Sequence, residues 1–362
     1  MAEVQGILEY KCPCCGSALT FSGKDQQLTC GSCGNEFQIE DVKQYNEAIR
    51  HEAQDEFHWE QTETQNLSED ESVNVRAYIC PSCGGEIMGD AVTAATFCPY
   101  CDSPAIIGGN VSGQLRPDGV IPFKTTKEDA MAAFQQICKG KPLLPKDFAS
   151  TARQEKIQGV YVPFWLYDCN SDIDAQYRGT RIRTWSDSNY HYTRTSHYML
   201  LRSASADFTN IPMDASSKMD NATMESIEPF NMEEAVDFNT AYLSGFLADK
   251  YDVEAKEGEG RIRQRVGDTF DELLQPTFMG YNSVMPTSKH LQVRQSKAKY
   301  MLLPVWMLYT KYKDNTYLFA MNGQTGKMTG TLPVDKAKMW AWFGGVSAAV
   351  SALIGLFLYF LM

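Results

Sequence analysis

Two cysteine quartets in strict register constrain this chain more than any other feature. Cys12, Cys15, Cys30 and Cys33 recur as Cys80, Cys83, Cys98 and Cys101 at a constant offset of 68 residues, with 14 residues between the two CxxC pairs of each copy. Four thiolates at this spacing close a tetrahedral metal site, and such a site folds a segment too short to build a core. Eight of the 11 cysteines are therefore read as ligands of two structural Zn2+ sites. Rubredoxin-type iron uses the same knuckles, but the chain has no flavin or nicotinamide motif to give it an electron-transfer context. Thioredoxin-like chemistry uses one CxxC near a βαβ pattern, not four in matched pairs. A closed four-thiolate site has no open position, which argues against catalysis by the metal.

The first ribbon is expected over residues 6–39 and the second over 75–112. Gly16, Gly34 and Gly84 follow knuckle cysteines, where a positive φ turns backbone N–H groups toward sulfur. Asp102 takes that place after Cys101, a residue that enters the left-handed region more readily than most. Cys14 lies between two ligands, and Ser82 replaces it in the second copy, so Cys14 is read as a bystander. Cys138 and Cys169 are read as buried thiols. Between the ribbons, residues 40–74 form a helix-like linker, with ten Asp/Glu over 41–74 against Lys43 and Arg50. It reads first as a solvated spacer and second as a partner helix.

The other end has the opposite texture. Met339–Met362 is 24 residues without a charge, about 36 Å as a helix, against a hydrocarbon core of about 30 Å. Trp340, Trp342 and Phe343 at one end and Phe357, Tyr359 and Phe360 at the other suit the two interfaces. Lys336 and Lys338 precede the span, so the positive-inside rule keeps the N-terminal bulk in the cytoplasm. Free thiolates fit that reducing compartment, and no signal peptide precedes the ribbons. The expected location is the cell membrane, single-pass. Gly344, Ala348 and Ala352 share one face of the span, and Ser347, Ser351 and Gly355 a nearby one. Such stripes permit close helix contact, and so a homo-oligomer or a second membrane subunit.

Residues 113–334 are expected to form an α+β cytoplasmic domain. Thr125-x-x-Glu128 reads as a capping box opening a helix through Lys139 that buries Met131, Phe134 and Ile137. Alternating aromatic and β-branched residues predict strands at 160–167, 175–185, 191–204, 300–312, 317–321 and 327–330. Helices are expected at 231–249 and 253–274. Val162-Pro163-Phe164-Trp165 matches Leu303-Pro304-Val305-Trp306 at an offset of 141 for both Pro and Trp, as either duplicated strand entries or a coincidence. Pro at a strand start favours an edge or first position. Asn322-Gly323-Gln324-Thr325-Gly326-Lys327 lacks the spacing and the Ser/Thr of a phosphate loop and reads as a hairpin turn. None of His51, His58, His191, His197 and His290 joins a catalytic motif.

The CPxCG knuckles at Cys12–Gly16 and Cys80–Gly84 resemble the zinc ribbon of transcription factor IIB, whose helical repeats are absent here. Over its whole length, the two ribbons, the LPVWMLY…NGQTGK segment and the C-terminal span resemble the membrane-anchored double zinc-ribbon proteins of Bacillus and relatives, the YdjG type. That resemblance implies cytoplasmic partners, phage-shock-protein-A-like and SPFH-domain proteins, held at the membrane in envelope stress. It supplies no catalytic residue. The expected function is a non-enzymatic adaptor. A nucleic-acid-binding regulator is the alternative. It is opposed by a formal charge of −12 and by the scarcity of Lys/Arg in the ribbons, where phosphate binding would need them.

Overall fold

The computed structural model describes Tyr10 and residues 12–14, 17–43, 57–59, 66–68, 71–72, 75–90, 98–101, 103, 106–110, 115–145, 147–148, 156–313 and 315–361. Cys15, Gly16, Asp102 and most of the acidic linker lie outside these. In chain order the strands are β1 (Leu19–Ser22), β2 (Gln27–Cys30), β3 (Glu36–Phe37), β4 (Phe57–Trp59), β5 (Val75–Ile79), β6 (Glu86–Asp90), β7 (Ile106–Asn110), β8 (Gly119–Val120), β9 (Gln158–Ser186), β10 (His191–Asp214), β11 (Val236–Asp237), β12 (Leu247–Asp249), β13 (Ser283–Tyr312), β14 (Asn315–Asn322) and β15 (Met328–Gly330). The main helices are α1 (Lys127–Cys138), α2 (Asn221–Ser226), α3 (Glu259–Leu274) and α4 (Lys336–Leu361).

The chain divides into two compact units. The first takes Met1–Gln61, Tyr167–Ile211 and Lys256–Lys297; the second takes Thr62–Leu166, Pro212–Ala255 and Ala298–Met362. In the first unit β1, β2 and β3 form a separate antiparallel sheet, with Leu19 opposite Cys30 and Leu28 opposite Phe37. Within the acidic linker, Phe57–Trp59 is a strand laid parallel to β13 at Val293 and Ser296. Helix α3 belongs to the same unit. Ile262, Val266, Phe270 and Leu274 recur every four residues and are buried, the single apolar stripe of a helix lying on a core. Phe270 meets Phe208 edge-on at 5.6 Å.

The second unit is built on a mixed sheet of order β11-β8-β13-β9-β12-β6-β5-β7, with β14 and β15 continuing from β13. Three of its members, β5, β6 and β7, are the strands of the second ribbon. The part expected as a separate α+β domain is thus sheet-rich and continuous with that ribbon. Cys80, Cys98 and Tyr100 are buried in the same cluster as Val160, Phe164, Leu303 and Val305. Helix α1 packs beside this sheet, Phe134 lying edge-on to Phe319 at 4.9 Å.

The offset of 141 is structural. On β9, Val160 and Tyr161 pair in parallel with Leu247 and Ala248, after which the Pro163 carbonyl accepts the Ala215 N–H at 2.8 Å. On β13, Met301 and Leu302 pair in parallel with Gly119 and Val120, and the Pro304 carbonyl accepts the Gly323 N–H at 2.8 Å. Both prolines therefore lie inside long strands, not at the starts where they were expected. Each stands where one neighbour strand ends and the next begins, so its missing N–H falls in the joint and breaks no ladder. Trp165 and Trp306 are both buried and both donate, to the Val253 carbonyl at 2.8 Å and to Thr125 Oγ1 at 3.0 Å.

Two helix expectations need correction. The cap of α1 is Thr126, not Thr125: Thr126 Oγ1 accepts from the Asp129 N–H, and Asp129 accepts from the Thr126 N–H. Thr125 is taken by tertiary bonds to Trp306 and to the Gly323 carbonyl. The helix consequently buries Ala130, Phe134 and Cys138. Residues 231–249 hold two 3-10 turns and the short strands β11 and β12. Asn231 and Asn239 each cap a turn of their own, on the Glu233 and Ala241 N–H groups. Such side-chain caps compete with a continuous helix, and pairing to β9 decides in favour of a strand at β12.

Candidate metal centres

All four described knuckles share one backbone device. The Cys12 N–H bonds the Ser17 carbonyl at 2.7 Å, Cys30 bonds Asn35 at 2.9 Å, Cys80 bonds Gly85 at 2.9 Å and Cys98 bonds Ser103 at 2.7 Å, always five residues ahead. Gly34 and Gly84 close the turn by donating back to Cys30 and Cys80, at φ of 70° and 69°. An L side chain is strained there, which is the local reason for glycine.

In the second centre the sulfurs of Cys80, Cys83, Cys98 and Cys101 all lie within 4.8 Å of one another. Cys80 to Cys101 is 3.5 Å and Cys83 to Cys98 is 3.6 Å. These spans are far too long for disulfides, whose sulfurs lie about 2.05 Å apart. They match the roughly 3.8 Å edge of a sulfur tetrahedron built with 2.3 Å metal–sulfur bonds. The donor set therefore fits a tetrahedral ion. Burial raises the Cys83 and Cys98 thiols, although backbone N–H groups of Gly85, Tyr100 and Cys101 point at their sulfurs and pull the other way. Burial raises Cys101 as well, but the Ser103 hydroxyl and N–H, with the Cys80 and Cys83 thiols, outweigh it and bring Cys101 down to about 6. Buried thiols held this close lower their cost by losing protons to a shared cation.

In the first centre Cys12, Cys30 and Cys33 converge within 4.8 Å, Cys12 to Cys33 at 3.6 Å. The fourth expected ligand, Cys15, is outside the described residues. Cys14 is buried beside Cys12 and Cys30 but is not one of the converging sulfurs. Among the described residues no histidine joins either group.

Sequence reasoning missed the second layer of both centres. Lys218 Nζ donates to the Cys83 carbonyl at 3.2 Å, and Arg178 Nη1 donates to the Cys14 carbonyl at 3.2 Å. A four-thiolate divalent site carries a net charge of −2, so one cation against each centre is favourable. These partners are 135 and 164 residues away in sequence, and no local pattern announces them. Next to the second centre, Asp249 is 2% exposed with its Oδ2 lacking a hydrogen-bond partner. Burial raises its pKa to about 7, and the Ser216 and Tyr100 hydroxyls bring it only part of the way back.

Two further sequence features have defined places. The Asn322–Lys327 segment is the turn between β14 and β15. Asn322 is fully buried, donates to the Ile227 and Pro229 carbonyls and accepts from the Gln324 and Thr325 N–H groups. A Cβ on Gly323 would lie 2.6 Å from the Phe123 ring and 2.8 Å from Pro304, so the close approach requires glycine. At the C-terminus, Lys336–Phe360 is a helix long and apolar enough to cross a membrane, and none of its apolar window is buried by the rest of the protein. Asp335 caps it through the Ala337 and Lys338 N–H groups, and Lys338 Nζ bonds the Leu144 carbonyl at 2.6 Å.

No protein-family model matches the chain, and no solved structure is similar to it. The chain is similar to YdjG of Bacillus subtilis (strain 168), with 37% identity over 341 residues that cover 94% of each protein. Similarity of that depth over nearly the full length of both proteins places the chain in the YdjG family.

Proposed function

We propose that this protein is a membrane-anchored zinc-ribbon adaptor without enzymatic activity. The observation that carries the reading is the combination of two converging cysteine groups with a C-terminal helix of spanning length in one chain. Zn2+ is the metal that suits four thiolates in a reducing compartment, and a full sulfur sphere leaves no position for a substrate. The centres would then act structurally, presenting ribbon surfaces to proteins. Lys336 and Lys338 ahead of the span put the ribbons in the cytoplasm, with α4 in the cell membrane. Small residues along α4 suit a second membrane subunit or a second copy. The partners implied by the resemblance are SPFH-domain and phage-shock-protein-A-like proteins, so the setting would be envelope stress.

The test is fractionation and pull-down from solubilised membranes, comparing the full chain with one lacking 336–362 and with Cys12→Ser and Cys80→Ser. The reading expects an SPFH-domain or phage-shock-type protein to co-purify with the full chain and to leave the membrane fraction when the helix is deleted. A protein and partner that stay membrane-bound without 336–362 would refute it. Nucleic-acid binding is the competing outcome, and its signature would be affinity falling steeply with salt.

A further inference from the structure

Beyond Ile182 the β9–β10 hairpin of the first unit becomes a two-stranded ribbon with nothing packed on either side among the described residues. Every residue from 182 to 195 is exposed. A bare ribbon of this kind is marginal in water, yet its tip is rich in apolar and aromatic groups. Ile182 is 45% exposed, Trp185 50% and Tyr190 66%. Trp185 and Tyr192 stack across the strands at 5.4 Å and 14°, and Tyr190 lies 6.2 Å from Tyr192.

The charge of the tip runs against the rest of the chain. Residues 179–201 carry Arg181, Arg183 and Arg194 against a single acid, Asp187, in a protein of net −12. That acid is used inside the turn: Asp187 accepts from the Asn189 and Tyr190 N–H groups at 2.9 and 2.8 Å and from the Tyr192 hydroxyl at 2.9 Å. Arg181 is also engaged, by the Gly280 carbonyl and the Tyr198 and Tyr281 rings. Arg183 and Arg194 have no ion-pair partner among the described residues.

Trp and Tyr favour the zone between water and hydrocarbon, because one end of each ring system is apolar and the other bonds water or headgroups. Arginine matches phosphate oxygens with a planar fork. We infer that the β9–β10 tip is a membrane-contact element that seats Trp185, Tyr190 and Tyr192 among anionic phospholipid headgroups, with Arg183 and Arg194 as phosphate ligands. The inference rests on the membrane-anchored reading, since α4 would hold the tip at high effective concentration near a bilayer. The tip would then act as a second, lipid-sensitive foot, engaged or released with the anionic lipid content of the membrane.

The full chain should be placed in nanodiscs of phosphatidylcholine alone, or with phosphatidylglycerol added, and followed by hydrogen exchange over 183–195 and over α4. The expected result is α4 protected in both discs, with the tip protected only when phosphatidylglycerol is present and released by salt. In Arg183→Gln/Arg194→Gln the phosphatidylglycerol-dependent protection should fall about thirtyfold, from the usual gain per basic residue at an anionic surface. Trp185 fluorescence, read as wild type minus Trp185→Phe, should be quenched by brominated lipid in the anionic discs only. A tip that exchanges equally in both discs while α4 is protected overturns this inference and leaves the anchor standing. An unprotected α4 overturns the anchor, and the inference with it. Tip protection that follows protein concentration in either lipid means that a second copy covers the ribbon, and also overturns it.

Discussion

Asp249 gives the sharpest quantitative handle on how the second centre is joined to the core. Its carboxyl is buried and held at about 7 against an ordinary 3.8. Because the folded value lies above the unfolded one, the native protein keeps a proton between roughly pH 4 and 7 that the unfolded chain has already lost. Stability therefore falls as pH rises through that window, and the loss is complete above about 7. The full shift corresponds to about 4 kcal/mol as an upper bound, and the part lost between pH 5.5 and 8 to about 2 kcal/mol. A filled four-thiolate centre, net negative, would push the carboxyl in the same direction. Asp249→Asn removes the titration. Its absolute effect mixes in the cost of a buried amide, roughly 1–3 kcal/mol if unpaired, so the difference in slope is the clean quantity. The assay is urea unfolding of zinc-saturated protein in detergent, at pH 5.5 and 8, for both proteins. Wild type should lose about 2 kcal/mol more than Asp249→Asn across the interval. Parallel curves, or a wild type that gains stability as pH rises relative to the variant, would refute the argument.

Other positions test other parts of the account. Asn322→Ala strands two carbonyls and two N–H groups in a buried turn, and should cost about 3 kcal/mol or more in a denaturant titration. Gly323→Ala forces a methyl against Phe123 and Pro304 and should cost about 1–3 kcal/mol, with the disturbance visible in near-ultraviolet circular dichroism. Cys80→Ser should remove one zinc and speed hydrogen exchange through β5, β6, β7 and β12, since those strands share one sheet. Cys12→Ser should loosen only β1 to β3, whose sheet is separate; equal spread from both variants would contradict the described pairing.

The features legible in the sequence are those whose partners lie a few residues away. The cysteine register, the glycines after the knuckles, the apolar stripe of α3, the Asn322 turn and the uncharged tail all follow from local spacing. What escaped reading depends on distant pairing. Nothing near Cys83 announces Lys218, and nothing near Cys14 announces Arg178. Thr125 and Thr126 offer equally good caps to a helix, and the choice is made by Trp306, 181 residues from Thr125. The second ribbon has the same knuckles as the first, so its spacing suggests the same independence. Tyr100, where the first copy has Ser32, instead places a large ring in the core of the second unit. The 141-residue offset is visible in the sequence as a shared Pro and Trp, but its meaning requires the parallel pairings of β8 and β12.

Metal content and X-ray absorption on the full-length protein, purified without chelator, test the central assignment most directly. The account predicts two zinc ions per chain, each with four sulfur ligands at about 2.3 Å. Fewer than two ions, or nitrogen and oxygen scatterers in either shell, would contradict it.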